Sequence, residues 1–127
     1  MNDLNLSIAI EAALVDRNLR QMQVARAALQ PGYYLRAANT LRDIRGTVLI
    51  GTGFPVTGTF ETDGPVGAIA LYDTLEALGA EPVLACGPPL CHCLDDDYRV
   101  LKLAARDVAA ATTEALNQLA RLKRHIV

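Results

Sequence analysis

With 127 residues, 51% apolar and 20% charged, the chain has the make-up of one ordinary globular domain, long enough for a core of its own. A net charge of −2 with scattered Lys and Arg excludes a nucleic-acid face. No run nears the roughly 18 apolar residues of a membrane span, and the start Met-Asn-Asp-Leu-Asn-Leu lacks a signal peptide's basic and apolar regions. With three cysteines, an odd number, these features predict a cytoplasmic protein with free thiols.

Residues 7–29 are predicted to form a helix, with Ser7 as N-cap and Ile8, Ala12, Val15, Leu19, Met22 and Leu29 as its inner stripe. Pro31-Gly32 ends it. A second helix is expected over 33–44, with Arg45-Gly46 as its breaker. Its Tyr33 and Tyr34 suit a core. Arg36 suits either a substrate carboxylate or an ion pair with Asp43.

Thr47-Val-Leu-Ile-Gly51 is an apolar run bounded by Gly, as expected of a parallel strand buried on both faces. A loop rich in Gly and Thr follows. A helix is predicted over 64–79, with Pro65 in its first turn, Ala68, Leu71, Leu75 and Leu78 inward, and Gly79 as its stop. Residues 82–86 are the second predicted strand, completing a βαβ unit.

Residues 87–94 read as an irregular loop. A long helix is predicted from Asp95–Asp97 to Lys123, acidic at its start and basic at its end through Arg121, Lys123, Arg124 and His125. Along it Leu101, Ala105, Val108, Thr112, Ala115, Leu119, Leu122 and Ile126 keep a heptad spacing. The predicted fold is α/β, a Rossmann-like parallel βαβ core with few strands flanked by long helices, in one domain over 1–127. Two strands alone leave open edges, so a homodimer or higher homo-oligomer is expected.

Strand ends facing helix starts are where α/β proteins hold ligands, and backbone N–H groups there favour anions. The candidate site is therefore the stretch 51–67. Glu61 and Asp63 are two residues apart, so in an extended loop their side chains share one side. They suit a base, or with Thr52 or Thr59 the ligation of a hard cation such as Mg²⁺ or Mn²⁺. Thr52, Gly53, Thr59, Thr62, Gly64 and Gly67 are candidate substrate-binding residues, the last two with Val66 through backbone N–H groups. The bland alternative is equally physical: Asp63 as a helix cap, Glu61 as a solvated residue, and Thr52, Thr57, Thr59 and Thr62 satisfying loop backbone.

Gly51-Thr-Gly-Phe-Pro-Val56 has Val56 where a dinucleotide loop needs its third Gly, so no nucleotide is expected. Cys91-His-Cys93 is contiguous and cannot easily converge on zinc with Cys86, so a loop with Cys86 buried at a strand end is the expected reading.

Four segments together carry a resemblance: Pro31-Gly-Tyr-Tyr-Leu-Arg-Ala-Ala-Asn39, Val48-Leu-Ile-Gly-Thr-Gly-Phe-Pro-Val56, Glu61-Thr-Asp-Gly-Pro-Val-Gly-Ala68 and Leu75-Glu-Ala-Leu-Gly79. They resemble the opening half of the D-glutamate cyclase family, over roughly residues 16–86. The resemblance implies an α/β fold and cyclisation of D-glutamate, or a related small amino acid, to 5-oxo-D-proline with loss of water. It implies a small anionic amino-acid-like ligand and catalytic roles for Glu61 and Asp63. Relative to the family the chain reads as truncated, with Cys86–Cys93 and one helix where another acidic loop and further βα units would follow. That departure leaves open an alternative, a non-catalytic binding or assembly subunit that keeps the ligand loop.

Overall fold

The computed structural model describes residues 1–104 and 108–123, which divide into two compact units, 1–44 and 45–127.

The first unit holds α1 (Asp3–Val15), a 3₁₀ turn (Leu19–Gln21), α2 (Met22–Ala27) and α3 (Tyr33–Arg42). The predicted single helix over 7–29 is thus broken. The chain leaves it through Asn18, Arg20 and Gln21, all in the left-handed region at φ 49°, 55° and 58°. Asn tolerates that conformation, and the Asn18 side chain accepts from the Gln23 N–H at 3.0 Å, fixing the turn.

Ser7 is no N-cap. Asn2 is, its side chain accepting from the Asn5 N–H at 2.9 Å. The inward face of α1 is Ser7, Glu11 and Val15, while Leu19, Met22 and Leu29 of the expected stripe are exposed. Ser7 and Glu11 instead serve α3, whose Gly32 N-cap has no side chain. The Glu11 carboxylate accepts from the Gly32 and Tyr34 N–H groups at 3.1 and 3.3 Å, and from the Ser7 hydroxyl at 2.8 Å. The Ser7 oxygen accepts from the Leu35 N–H at 3.0 Å. Two side chains of α1 thus take up amides that α3's first turn leaves unpaired, and the negative carboxylate faces the positive end of α3's dipole.

The second unit is built on a parallel sheet of β1 (Thr47–Gly51), β4 (Glu81–Cys86) and β5 (Val100–Lys102), in the order β1-β4-β5. Between β1 and β4 come a small antiparallel hairpin, β2 (Pro55–Val56) and β3 (Thr59–Phe60), and then α4 (Asp63–Ala77). A short helix α5 (Leu90–Leu94) joins β4 to β5, and α6 (Val108–Lys123) ends the unit. The α/β class and the βαβ unit stand as expected.

The central strand is β4. Pro82, Val83 and Leu84 are buried in succession, as a strand covered on both faces requires. That description does not fit β1. It pairs on one side only, and Leu49 is exposed. Pro65, Ala68, Tyr72 and Leu75 form the buried stripe of α4, while Leu71 and Leu78 are exposed. Ala68 and Leu75 are thus buried as expected, and Pro65 and Tyr72 stand in the stripe in place of Leu71 and Leu78. Gly79 ends α4 at φ 88°, with its N–H donating to Glu76 O at 2.9 Å and that of Ala80 to Leu75 O at 3.0 Å. This is the reciprocal pair of a glycine-stopped helix end.

The long helix expected from Asp95 does not exist. Residues 100–102 pair with 84–86 as a third parallel strand, where Val100 and Leu101 cover an otherwise open edge of β4. Asp95 caps the C-terminal end of α5, and its carboxylate is paired with Lys102. The heptad seam is therefore cut at Leu101. Its Ala105 and Ile126 lie outside the described residues, as do Arg124 and His125 of the basic end. The stretch 87–94, expected to be irregular, contains α5.

No described helix is long and apolar enough to cross a membrane.

Candidate active site

A crevice of about 410 Å³ opens where the carboxyl ends of the sheet strands meet the loops that follow them. Its walls are Gly51, Thr52, Gly53 and Phe54 after β1, Ala85, Cys86, Gly87 and Pro88 at the end of β4, and Leu103 after β5. Ligands of open α/β sheets occupy this position.

Two close approaches shape the crevice. Gly53 has φ 76°, and a Cβ there would collide with Leu90 Cδ2 of α5. A Cβ on Gly87 would stand 3.3 Å from the Leu103 carbonyl oxygen. Both glycines let the loops close onto neighbouring elements without side chains in the way.

Thr52 continues the ladder past β1, its N–H donating to Ala85 O at 3.1 Å. Its hydroxyl oxygen is buried and has no hydrogen-bond partner among the described residues. Buried hydroxyls are seldom left so. The same oxygen stands 3.5 Å from where a Cβ on Gly64 would lie. The fold thus brings together Thr52, Gly53 and Gly64, three of the residues singled out from sequence.

The others lie further out. Asp63 opens α4, and its Oδ1 accepts from the Gly64 N–H at 2.9 Å. Thr62 holds the N-cap position without a side-chain cap bond. The Glu61 N–H donates to Phe54 O at 3.0 Å, closing the base of the hairpin. Both carboxylates are exposed, and neither walls the crevice. Thr59 lines a second hollow of about 320 Å³, with Val56 and Gly58 on one side and Pro88 and Pro89 on the other. Pro88 belongs to both hollows, so they adjoin. Gly67 is exposed in α4, and a Cβ there would meet nothing.

Among the described residues no three His, Cys, Asp or Glu side chains gather as a metal ion would require. Glu61 and Asp63 are two carboxylates without a third His, Cys, Asp or Glu beside them among the described residues. Cys86, Cys91 and Cys93 are free thiols, the first two buried and the third exposed. Burial, with the neighbouring Cys91, pushes the Cys86 thiol up from its ordinary value. It forms part of the crevice wall. Arg36 does not pair with Asp43, because its guanidinium donates to Pro31 O and Gln30 O at 2.9 and 2.7 Å and Asp43 pairs with Arg42 instead.

Sequence reasoning missed Phe54, Ala85, Gly87, Pro88 and Leu103 as walls. Only the strand-end position of 85–88 hinted at them. Leu103 carried no signal once β5 was taken for helix.

Comparison with curated proteins and with solved structures finds no match for the chain. A family model described as "D-glutamate cyclase-like, C-terminal" matches residues 10–126, which takes in the crevice, the acidic loop and α6. The chain belongs to the D-glutamate cyclase-like, C-terminal family.

Proposed function

We propose that the protein binds a small anionic amino acid in the crevice and cyclises D-glutamate to 5-oxo-D-proline. The observation that carries this reading is the Thr52 hydroxyl, without a partner among the described residues, buried in the crevice and facing the start of α4 at Gly64. The cyclisation needs the substrate amine without its extra proton. Its lone pair attacks the γ-carboxyl carbon, a C–N bond forms, a C–O bond breaks, and water leaves. Thr52 would hold a substrate oxygen. The backbone N–H groups at 64–67 other than that of Pro65 would face the carboxylate. Glu61 or Asp63 would take the ammonium proton, reaching the substrate across the mouth of the crevice. No step here depends on a cation, and Mn²⁺ or Mg²⁺ at Glu61 and Asp63 would need its remaining ligands from substrate and water.

A second reading has its own support. Both carboxylates stand outside the crevice walls, as a non-catalytic binding or assembly subunit would allow. Homo-oligomerisation belongs to either reading. It rests on the single-sided pairing of β1 and β5 and on exposed Leu116 and Leu119 of α6.

The test is titration calorimetry and product analysis with D-glutamate, L-glutamate and 5-oxoproline, with and without Mn²⁺. D-selective binding followed by release of 5-oxoproline supports the enzyme. Binding without product supports a binding subunit, and no binding of any of the three overturns the enzyme and favours an assembly subunit.

A further inference from the structure

A third hollow lies wholly within the first unit. It measures about 240 Å³, and Glu11, Gln23, Arg26, Ala27, Leu29 and Tyr33 are among its walls. The size excludes nucleotides and fits a small metabolite.

Its charges are arranged in a definite way. Glu11 is 1% exposed. A carboxylate offers about four acceptor positions. Oε1 takes the Ser7 hydroxyl and the Tyr34 N–H, but among the described residues Oε2 takes only the Gly32 N–H. One acceptor position on Oε2 is therefore left. Arg26, half-buried, attracts Glu11 across space but makes no hydrogen bond or ion pair among the described residues. Its five donors are uncommitted. Burial, with the charges of Glu11 and Tyr34, holds the Tyr33 phenol above its ordinary value, so it stays a donor.

Backbone strain sits beside this cavity. The left-handed residues Asn18, Arg20 and Gln21 immediately precede α2, the helix that carries Gln23 and Arg26. Arg20 and Gln21 adopt that region at a cost, and such residues cluster at ligand clamps.

We propose that this cavity binds a small α-amino acid as its zwitterion. The ammonium group donates to Glu11 Oε2. The carboxylate accepts from the Arg26 guanidinium and the Tyr33 hydroxyl, and a short side chain lies against Ala27 and Leu29. A lone anion would meet the buried Glu11 charge, and a lone cation would meet Arg26. A ligand bearing both signs answers both groups, and an α-amino acid is the smallest such metabolite. The site is separate from the crevice and does not depend on cyclase activity.

The test is a two-dimensional ¹⁵N–¹H spectrum of the full chain. The probes are glycine, L-alanine, D-alanine, L-serine, L-glutamine and D-glutamate, each to about 10 mM, with acetate and methylammonium as half-ligand controls. The expected result is saturable movement of the Gly32, Tyr34 and Gln23 amides with an amino acid, and at least tenfold weaker response to either control. Arg26→Gln is expected to weaken binding at least tenfold. Tyr33→Phe keeps the ring and should weaken it less, which preserves the test if Arg26→Gln does not fold. The proposal is overturned if no amino acid moves these amides, if acetate does so as well as an amino acid, or if both variants bind unchanged. Movement confined to Gly53 and Gly87 places the ligand in the crevice and also overturns it.

Discussion

The Glu61 N–H donates to the Phe54 carbonyl at 3.0 Å, so the main chain of a candidate base is clamped to the residue that leads out of the crevice. The eight residues 54–61 thus form a closed hairpin standing between Thr52 and Asp63. Whatever enters beside Thr52 lies within the reach of this one clamped loop.

Thr52→Val should separate binding from stability. It removes a buried hydroxyl that has no partner among the described residues. The expected stability is equal to the parent or higher by about 1 kcal/mol. Affinity for D-glutamate should fall about tenfold, whereas Thr52→Ser should keep it. Urea denaturation and calorimetry read the two effects. Loss of stability in Thr52→Val would contradict this account of the hydroxyl.

Asp63→Asn keeps an oxygen for the Gly64 N–H, which Asp63 now holds at 2.9 Å. At this first helical position, after Thr62 at the N-cap, Asn loses only the charge's interaction with the helix dipole, about 0.3–1 kcal/mol. The melting temperature should therefore stay close to the parent while turnover of D-glutamate falls. Unchanged turnover would leave Asp63 a helix-start residue only.

Gly53→Ala is expected to cost about 1–3 kcal/mol, because φ is 76° and the new methyl meets Leu90. Gly46→Ala is its control. A Cβ at Gly46 meets nothing, so stability should change by no more than about 1 kcal/mol. Equal effects in denaturant midpoints would remove the argument for a strained crevice wall.

Glu11 links the first unit to pH. Burial favours the neutral acid, yet the Ser7 hydroxyl, the Gly32 and Tyr34 N–H groups and the Arg26 charge outweigh it and hold the carboxyl below 4.5. A lowered folded value means that its contribution is complete above 4.5 and is lost as pH falls through the folded value. The gap in urea midpoint between parent and Glu11→Gln should be widest near neutrality and narrow below 4.5. A gap that is constant with pH would show that the charge contributes nothing.

Thiol labelling should be selective. In the native protein only Cys93 should react rapidly with iodoacetamide at neutral pH, with Cys86 and Cys91 reacting after denaturation. Rapid reaction of all three in the folded protein would mean that the crevice wall opens readily.

The parts of the fold legible in sequence were those with strong local punctuation. Gly46 and Gly51 bracketed β1, and Pro65 and Gly79 bracketed α4. The break after Val15 was not legible, because Asp16-Arg17-Asn18 contains neither Gly nor Pro and a lone Asn is a weak signal for left-handed backbone. Three residues are too few to show a strand period, so Val100–Lys102 passed as helix until pairing with β4 decided otherwise. The candidate site was visible in the order strand, glycine loop, acidic helix start. Its inner wall was not, since Leu103 and Pro88 reach it only through folding. Glu11 was hidden by a shift of one residue in the stripe assigned to α1. Ser7 and Glu11 at a four-residue spacing were the available signal.

The cap of α3 is supplied by residues lying 21 to 28 positions earlier in the chain. A ten-residue helix is marginal by itself in water, and its nucleation is unfavourable. Helix α3 therefore has to wait for α1, and the loop between them must close before either is rewarded. The first unit should form in one concerted event, and a peptide cut from 30–44 should be largely unstructured. In exchange experiments the amides of Tyr34 and Leu35 would then open together with the middle of α1, as a single cooperative piece.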